Sequence, residues 1–344
     1  MAIFQRDRTV VGLDIGSHSV KLIHLDHEND HYRLLAGLAE ECPPSQEGEG
    51  RENMVATIRQ LFRRAGLKPG GTDVVTAVSG AGTAIKQVEF PLLTDEELQS
   101  SLQWQAGKRL PFRPEEAVLD YQVMLRDEDA EKMLVLLTAV TRIHLTEHLD
   151  LLKEIGIDPP IIDLGPLALA NSLLAAQEQA DDSSLVMLDL GASRTILNVF
   201  SPGGLFFTRD IDVSGRKFTD EIQEHLQVSY DEAERIKKEG SEKKLLEILK
   251  KPLDQLIFEI RRALTYYENR RGMSGFPIMY LSGGGARLAG LSKYLHTTLG
   301  MNIEELDAFR KLNIPDGKKP NSDLAPRLGL AVGLAIRKIR KRHV

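Results

Sequence analysis

Two short segments carry residue types that could hold a phosphate group. "GLDIGSHSVK" runs from Gly12 to Lys21, and "MLDLGASRTI" from Met187 to Ile196. In each, an apolar run ends in Asp, one apolar residue and Gly, and apolar residues resume at Val20 and Ile196. A dinucleotide fingerprint or a P-loop would place a helix after the glycine. Here the pattern reads as a tight turn into a second strand, so each segment is a hairpin. Backbone N–H groups of such a turn make a concave anion site, and Gly16 and Gly191 would let that backbone approach a phosphate closely. Asp14 and Asp189 are the carboxylates that water-ligated Mg²⁺ needs beside phosphate oxygens. Lys21 could place a point charge on the phosphates, or be a solvated strand lysine. Ser17, Ser19 and Thr195 could donate hydroxyl hydrogen bonds, or simply finish the two turns, to which Ala192 also belongs.

Either hairpin alone is as readily just a turn. Two copies in register half a chain apart, Asp14 falling on Asp189 and Gly16 on Gly191, are stronger. The offset is no solenoid period. It implies a duplicated domain whose two hairpins face one another. A third piece, "YLSGGGARLAGL", puts Gly283, Gly284 and Gly285 between a strand and a helix, where a flat ring could lie against the backbone; a plain strand-to-helix turn is the alternative. A fourth, "DEAERIKKE", spaces Glu234 and Lys237 i,i+3 on one helical face, as a ligand contact or a solvated ion pair.

These pieces need elements to position them. Three strands open the chain, separated by turn residues at Glu28-Asn29-Asp30. Asn53 is a candidate cap for a helix ending at Gly66, and "TDVVTAVSG" is a buried strand. Thr94 followed by Glu97 is a capping box opening a helix to about Leu110. Two strands around the acidic turn "RDEDAEK" follow, and a helix from Arg142 to Ile155 closes the region. The second hairpin comes next, then two helices, "SGRKFTDEIQEHLQ" and "SYDEAERIKKEG", the latter with Ser229 as a good cap. A long amphipathic helix is expected to break at Pro252, and the chain ends in a basic helix. Four units result: residues 1–84 with 142–182, an inserted α/β unit at 85–141, 183–216 with 276–344, and a helical unit at 217–275.

The bulk numbers limit the classes. The chain has 344 residues, a net charge of −6 and a pI of about 5.9, which argues against bulk nucleic-acid binding. Cys42 is the single cysteine, so no internal disulfide forms and a reducing compartment fits. The first residues lack a long apolar run, and "LGPLALANSLLAA" is too short to span a bilayer. A cytoplasmic protein is expected, reaching a membrane only by docking. His18, His24, His27 and His31 look like a metal cluster by count, but no carboxylate spacing fits a site. Trp104 reads as a helix packing residue, with partner contact as the alternative.

The order of hairpin, insert, second hairpin, Glu/Lys helix, triple glycine and terminal helix resembles the actin-like ATPase superfamily, the duplicated two-lobe (ribonuclease H-like) α/β fold of actin, MreB and FtsA. "DIGSHSVK" and "DLGASRT" are similar to its two phosphate motifs, "LSGGGARLAGL" to its adenosine motif and "AERIKKE" to its ribose-contacting helix. The resemblance implies ATP and Mg²⁺ as ligands. Glu234 and Lys237 would then touch ribose, Gly283 to Gly285 would approach the nucleoside, and Arg287 would lie against adenine. "IIDLGPLAL" and "LAVGLAIRK" stand where the two connecting helices belong. Asp163 is the nearest candidate to orient a hydrolytic water, or else caps the following helix. Within the superfamily, "ELQSSLQWQAGKRLPF" ahead of "LDYQ", with the flanking sequence, resembles the PilM family of type IV pilus assembly. That resemblance covers nearly the whole chain. It implies an ATP-binding adaptor that captures the cytoplasmic N-terminal peptide of PilN, an inner-membrane protein, in a groove beside the insert, with slow or absent turnover. Self-association into FtsA-like filaments is the alternative. A small-molecule kinase fits less well, because the short loops offer no evident acceptor pocket.

Overall fold

The computed structural model describes residues 9–28, 31–43, 50–177, 184–201, 205–271 and 275–337. Each half of the chain opens with an antiparallel three-stranded meander. In the first half these are β1 (Thr9–Ile15), β2 (Ser19–Glu28) and β3 (His31–Glu41), and β4 (Asp73–Val78) and β8 (Ile161–Leu164) add in parallel beyond β1. In the second half β9 (Leu185–Leu190), β10 (Thr195–Ser201) and β11 (Leu205–Ile211) form the meander, with β12 (Ile278–Ser282) and β13 (Asn302–Glu305) added beyond β9. The strand orders, β3-β2-β1-β4-β8 and β11-β10-β9-β12-β13, are the same topology used twice. The hairpin strand is central in each sheet, so its apolar residues are buried on both faces, and its C-terminal end carries the Asp.

Helices cover the sheets by simple periodicity. On α1 (Gly50–Arg64), Val55, Ile58, Leu61 and Phe62 fall on one face and pack against Val11, Leu13, Val20 and Leu22. In the second half α5 (Gly215–Leu226), α7 (Glu242–Ile248), α8 (Lys250–Arg271) and α9 (Leu291–Leu299) bury Phe218, Ile222, Leu245, Leu253, Ile260 and Leu291 against β9, β10 and β12. Between the lobes lie α4 (Gly165–Ala176) and α10 (Gly329–Ala335). They form a middle core with Ile23 and Leu25 on one side and Met187, Ile196 and Phe200 on the other. The two helices approach so closely that a Cβ on Gly333 would overlap the Ala168 carbonyl oxygen, and one on Gly12 of β1 would overlap the Ala331 carbonyl. Small residues at these positions are what let the lobes share two helices.

The insert is a separate layer with its own core. Its sheet, β5 (Thr83–Pro91), β7 (Lys132–Thr141) and β6 (Ala117–Asp127) in that order, packs Val88, Phe90, Met133, Val135 and Leu137 against Leu98, Leu102 and Ala106 of α2 (Asp95–Arg109). The Thr94–Glu97 capping box forms in both directions, and α3 (Arg142–Ile155) returns the chain to the first lobe.

Several expectations are corrected. Asn53 is inside α1, its carbonyl accepting from the Thr57 hydroxyl. The long helix breaks at Leu249, and Pro252 sits in the first turn of α8, where a missing N–H costs nothing. The connecting segment begins with the short strand β8, and β13 was not foreseen. Trp104 is not a packing residue: it is 64% exposed, with the Lys108 ammonium 3.4 Å above its ring. The turn at Asn29-Asp30, the loop around Ser45, and the basic tail from residue 338, including Ile339, lie outside the described residues.

The α4–α10 contact sets a testable stability. Gly333→Ala should cost about 2 kcal/mol, the size of an overpacking defect that the backbone can only partly relieve. Gly71→Ala, where a Cβ would meet only ordinary contact, should change little. Urea unfolding midpoints compare the two.

Candidate functional site

Both hairpin tips close with the same hydrogen bond. Gly16 N–H donates to the Ser19 carbonyl at 3.1 Å, and Gly191 N–H to the Arg194 carbonyl at 3.0 Å. A Cβ on either glycine would come within 2.9 Å of that carbonyl. The turn itself therefore requires glycine there. Ser17 at the first tip is exposed, while Ser19 is buried and its hydroxyl accepts from the Arg327 guanidinium at 3.2 Å.

Asp14 and Lys21 face each other in the β1–β2 register, and their side chains pair at 3.0 Å, both largely shielded from solvent. The equivalent partner of Asp189 is Ile196, so a single lysine serves two carboxylates. Asp189 lies beside Ser282 in the parallel β9–β12 register. Burial pushes the Asp189 pKa up to about 6; the Asp14 charge adds to the rise, and Ser282 and Lys21 oppose it. The two carboxylates thus sense one another across the cleft. Among the described residues no group of three or more His, Cys, Asp and Glu could hold a metal. Two carboxylates suit a cation that keeps most of its water and takes its remaining ligands from a phosphate, so the donor set fits Mg²⁺. The four-histidine cluster does not form a site; His27 instead contacts the Ala335 carbonyl at 2.8 Å.

The second hairpin is fastened to α5, because Gly215 and Arg216 N–H donate to the carbonyls of Gly191 and Ala192 at 2.9 and 2.8 Å. Thr195 is fully buried and its hydroxyl donates to the Val213 carbonyl at 2.5 Å. Its side chain finishes the turn and is not free for a ligand. On α6 (Tyr230–Glu239), Glu234 and Lys237 pair at 2.5 Å with side chains only 15% and 17% exposed. Lys237 also donates to the Gly215 carbonyl at 3.0 Å and the Thr219 hydroxyl at 2.6 Å. Burial works against the Glu234 charge, but the hydrogen bonds from Lys237 and Thr219 prevail and lower its pKa. This pair is an ordered bridge between α5 and α6, not a solvated one.

The three glycines differ. Gly283 has φ +84° and, like Gly285, packs against Leu190, whereas Gly284 has open space where a side chain would be. The glycine turn therefore sits directly on the end of β9 and presents Gly284 outward. Arg287 turns to Asp323 at 2.8 Å and Glu305 at 3.6 Å. It lines a cavity of about 670 Å³ between the glycine turn, α9 and β13, which none of the hairpin residues touches. Asp163 accepts from its neighbour Leu164 N–H and pairs with Arg337 at 3.1 Å. Leu164 is the cap residue of α4 and makes no side-chain cap bond, so Asp163 anchors the end of α10.

Sequence reading missed Arg194. Overlaying the hairpins puts it at the place of Ser19, which was the available signal. Its guanidinium lies flat on Gly80 (φ +104°), at the turn leading into the insert, and pairs with Asp210 at 3.7 Å. Asp210 in turn lines a second cavity, of about 300 Å³, with Thr83 to Lys86, Arg109 to Pro111, Pro166 and Thr208. The Thr208 hydroxyl is buried without a hydrogen-bond partner.

Comparison with known proteins follows this geometry. The profile of the family "Type IV pilus assembly protein PilM" matches residues 12–339. The chain belongs to the PilM family. A solved PilM-PilN type IV pilus biogenesis complex is similar over 98% of this chain and 100% of that chain, with a TM-score of 0.84 and 25% identity. Weaker likenesses show the actin-like fold alone. EutJ, an ethanolamine utilization protein from Carboxydothermus hydrogenoformans, covers 95% and 89% of the two chains (TM-score 0.57, 16% identity). MreB 5 of Spiroplasma citri, solved with AMPPNP, covers 95% and 94% (TM-score 0.55, 14% identity). Cell division protein FtsA of Bacillus subtilis (strain 168) is 34% identical over 87 residues, which span 25% of this chain and 19% of that relative. No described helix of this PilM-family chain is long and apolar enough to cross a membrane.

The elevated Asp189 pKa makes a stability prediction. The folded protein holds this proton more tightly than the unfolded chain, so stability falls as pH rises from about 4 to about 6 and levels off above. Asp189→Asn should melt higher than wild type at pH 7 to 8, and the advantage should shrink below pH 6 and vanish near pH 4. Thermal melts across that range check it.

Proposed function

We propose that this chain binds ATP with Mg²⁺ between its two hairpins and serves as the actin-like adaptor of a type IV pilus assembly platform, holding the cytoplasmic N-terminal tail of a PilN-type inner-membrane protein. The observation that carries the nucleotide reading is the meeting of Asp14, Lys21 and Asp189 at one point, supplied by equivalent hairpins of two duplicated lobes. Asp14 and Asp189 would position Mg²⁺ through water. Gly16, Ser17, Lys21, Gly191 and Ala192 would surround the phosphates, Ser19 lending its backbone to that turn. Glu234 and Lys237 would meet the ribose, and Gly284, between Gly283 and Gly285, the nucleoside. The solved MreB 5 with AMPPNP supports a nucleotide in this fold, and the PilM-PilN complex supports the partner. Recruitment to the inner membrane through that partner follows, with residues 1–84 and 142–182, 85–141, 183–216 with 276–344, and 217–275 as its four subdomains.

For the tail of the partner, the 300 Å³ cavity between the insert and β11 is the favoured place. Thr83 to Lys86 at the start of the insert form one wall and Thr208 and Asp210 of β11 the other, so the cavity lies between two edge strands, beside which an extended peptide can run. Turnover is a lesser part of the proposal. Phosphoryl transfer to water needs a group that orients the nucleophile, and Asp163 is held by Arg337 instead.

Two experiments test the reading. Asp14→Ala should keep its fold and lose Mg²⁺-dependent binding of a fluorescent ATP analogue by more than about tenfold, the size of a removed charge-assisted contact; unchanged affinity would refute the nucleotide site. Thr208→Trp, which fills the cavity, should abolish binding of a PilN-type N-terminal peptide in a polarisation assay and leave ATP binding intact. Sedimentation with ATP separates an adaptor from a filament.

A further inference from the structure

At the mouth of the cleft three basic groups from different elements converge on one carboxylate oxygen. Glu41 Oε1, at the end of β3, lies 3.7 Å from Arg327 Nη2, 3.9 Å from Lys238 Nζ and 3.7 Å from His18 Nε2. None of the three is at hydrogen-bond distance. Glu41 and Lys238 are more than half exposed, whereas Arg327 is mostly shielded and is further held by the Ser19 hydroxyl. The contrast with Glu234–Lys237, at 2.5 Å and buried, is marked: Glu41 satisfies its cations loosely and is free to leave.

The location gives this cluster its meaning. His18 is the tip of the first hairpin, and Lys238 follows Lys237 on α6 of the other lobe. Pro326, next to Arg327, accepts from Gly283 N–H at 3.0 Å and from the Ser282 hydroxyl at 3.3 Å. Arg327 therefore stands where the first hairpin, the glycine turn and the Glu234–Lys237 helix come together. Burial lowers the His18 pKa against the pull of Glu41, so near neutral pH the fixed charges are those of Arg327 and Lys238 against Glu41.

We infer that Arg327 and Lys238 are further contacts to the polyphosphate of a nucleoside triphosphate, and that Glu41 is their internal counter-anion, which the ligand displaces. The inference rests on the nucleotide reading above. It assigns a role to a carboxylate outside the four sequence pieces, and it makes the excess positive charge there partly offset from across the lobes: one lobe supplies Glu41, the other Lys238. The ligand exchanges an intramolecular ion pair for its own phosphates, so Glu41 opposes binding.

Titration of a fluorescent ATP analogue into four folded proteins tests this: wild type, Glu41→Gln, Arg327→Gln and the double variant. Glu41→Gln should bind about fivefold tighter and Arg327→Gln about tenfold weaker, as expected for partly screened charge contacts. In the Arg327→Gln background the Glu41→Gln gain should largely vanish, because the two act on one another. Inorganic tripolyphosphate should compete better against Glu41→Gln than against wild type, which assigns the effect to phosphate and not to the base. Unchanged or weaker binding by Glu41→Gln overturns the inference, as does a gain that persists undiminished without Arg327. If wild type binds and Asp14→Ala does not while Glu41→Gln behaves as wild type, this inference alone fails. If wild type binds no nucleotide, both readings fall.

Discussion

One lysine stands between two carboxylates that the chain carries 175 positions apart. Lys21 pairs with Asp14 at 3.0 Å, and its charge also lowers the Asp189 pKa while Asp14 raises it. Two carboxylates brought together in a partly dry site repel and resist ionisation. The effect that dominates at Asp189 is burial, with the neighbouring charges as corrections. The site survives because the rest of the fold forces it. β1 and β9 are central strands, fixed on both faces, and α4 and α10 pack backbone to backbone between the two sheets. Stability is lost at this point, as is usual where a protein holds charge for a ligand.

Duplication gives the two hairpins one backbone and different chemistry. Gly16 and Gly191 close their turns with the same hydrogen bond, yet Lys21 answers to Ile196, Ser19 to Arg194 and Ser17 to Ala192. The first hairpin keeps its cation within the cleft. The second sends its cation out, onto Gly80 and Asp210, toward the insert. The supports differ in the same way. The second turn is fixed by two backbone bonds from α5, whereas the first takes one backbone bond, from Cys42 N–H to the His18 carbonyl at 2.9 Å, and is held besides through Ser19 by a side chain, Arg327, from the last part of the chain.

What was legible in the sequence was what is local and periodic. The hairpins, the Thr94–Glu97 capping box, the strands β6 and β7 and the i,i+3 spacing of Glu234 and Lys237 all depend on residues within a few positions of one another, and each appears where expected. Three strands were not foreseen: β5, which pairs with β7 beyond α2 and β6, and β8 and β13, which are four residues long and exist only through parallel pairing with distant strands. Proline misled at Pro252 because the first turn of a helix tolerates it, so the break precedes it. Side-chain roles were the least legible. Thr195 and Thr208 are both strand threonines; one is satisfied by Val213 and the other has no partner. Arg287 and Asp163 were assigned by position, and their actual partners, Asp323 and Arg337, are 36 and 174 residues away. Trp104 sits in a helix whose buried line is Leu98, Leu102 and Ala106. Counting by four from Leu98 places 104 off that line, so its exposure was readable and was overlooked.

On the proposed reading, a nucleotide in the cleft acts as a strap. It touches the first hairpin, the second hairpin, α6 and the glycine turn, which belong to both lobes, so its binding free energy favours whichever lobe arrangement brings all four together. The groove assigned to the partner is also built from both halves, with Thr83 to Lys86 on one wall and Thr208 and Asp210 on the other. Two ligands that each bridge the same pair of lobes must be coupled, with the same factor in either direction. Nothing in that argument requires the phosphate bond to break. A protein whose task is to hold a membrane partner only while nucleotide is present gains from tight lobe closure, and a fast hydrolytic step would undo it. Asp163, the candidate for orienting a hydrolytic water, is instead tied to Arg337 beyond the end of α10, in keeping with that division of labour.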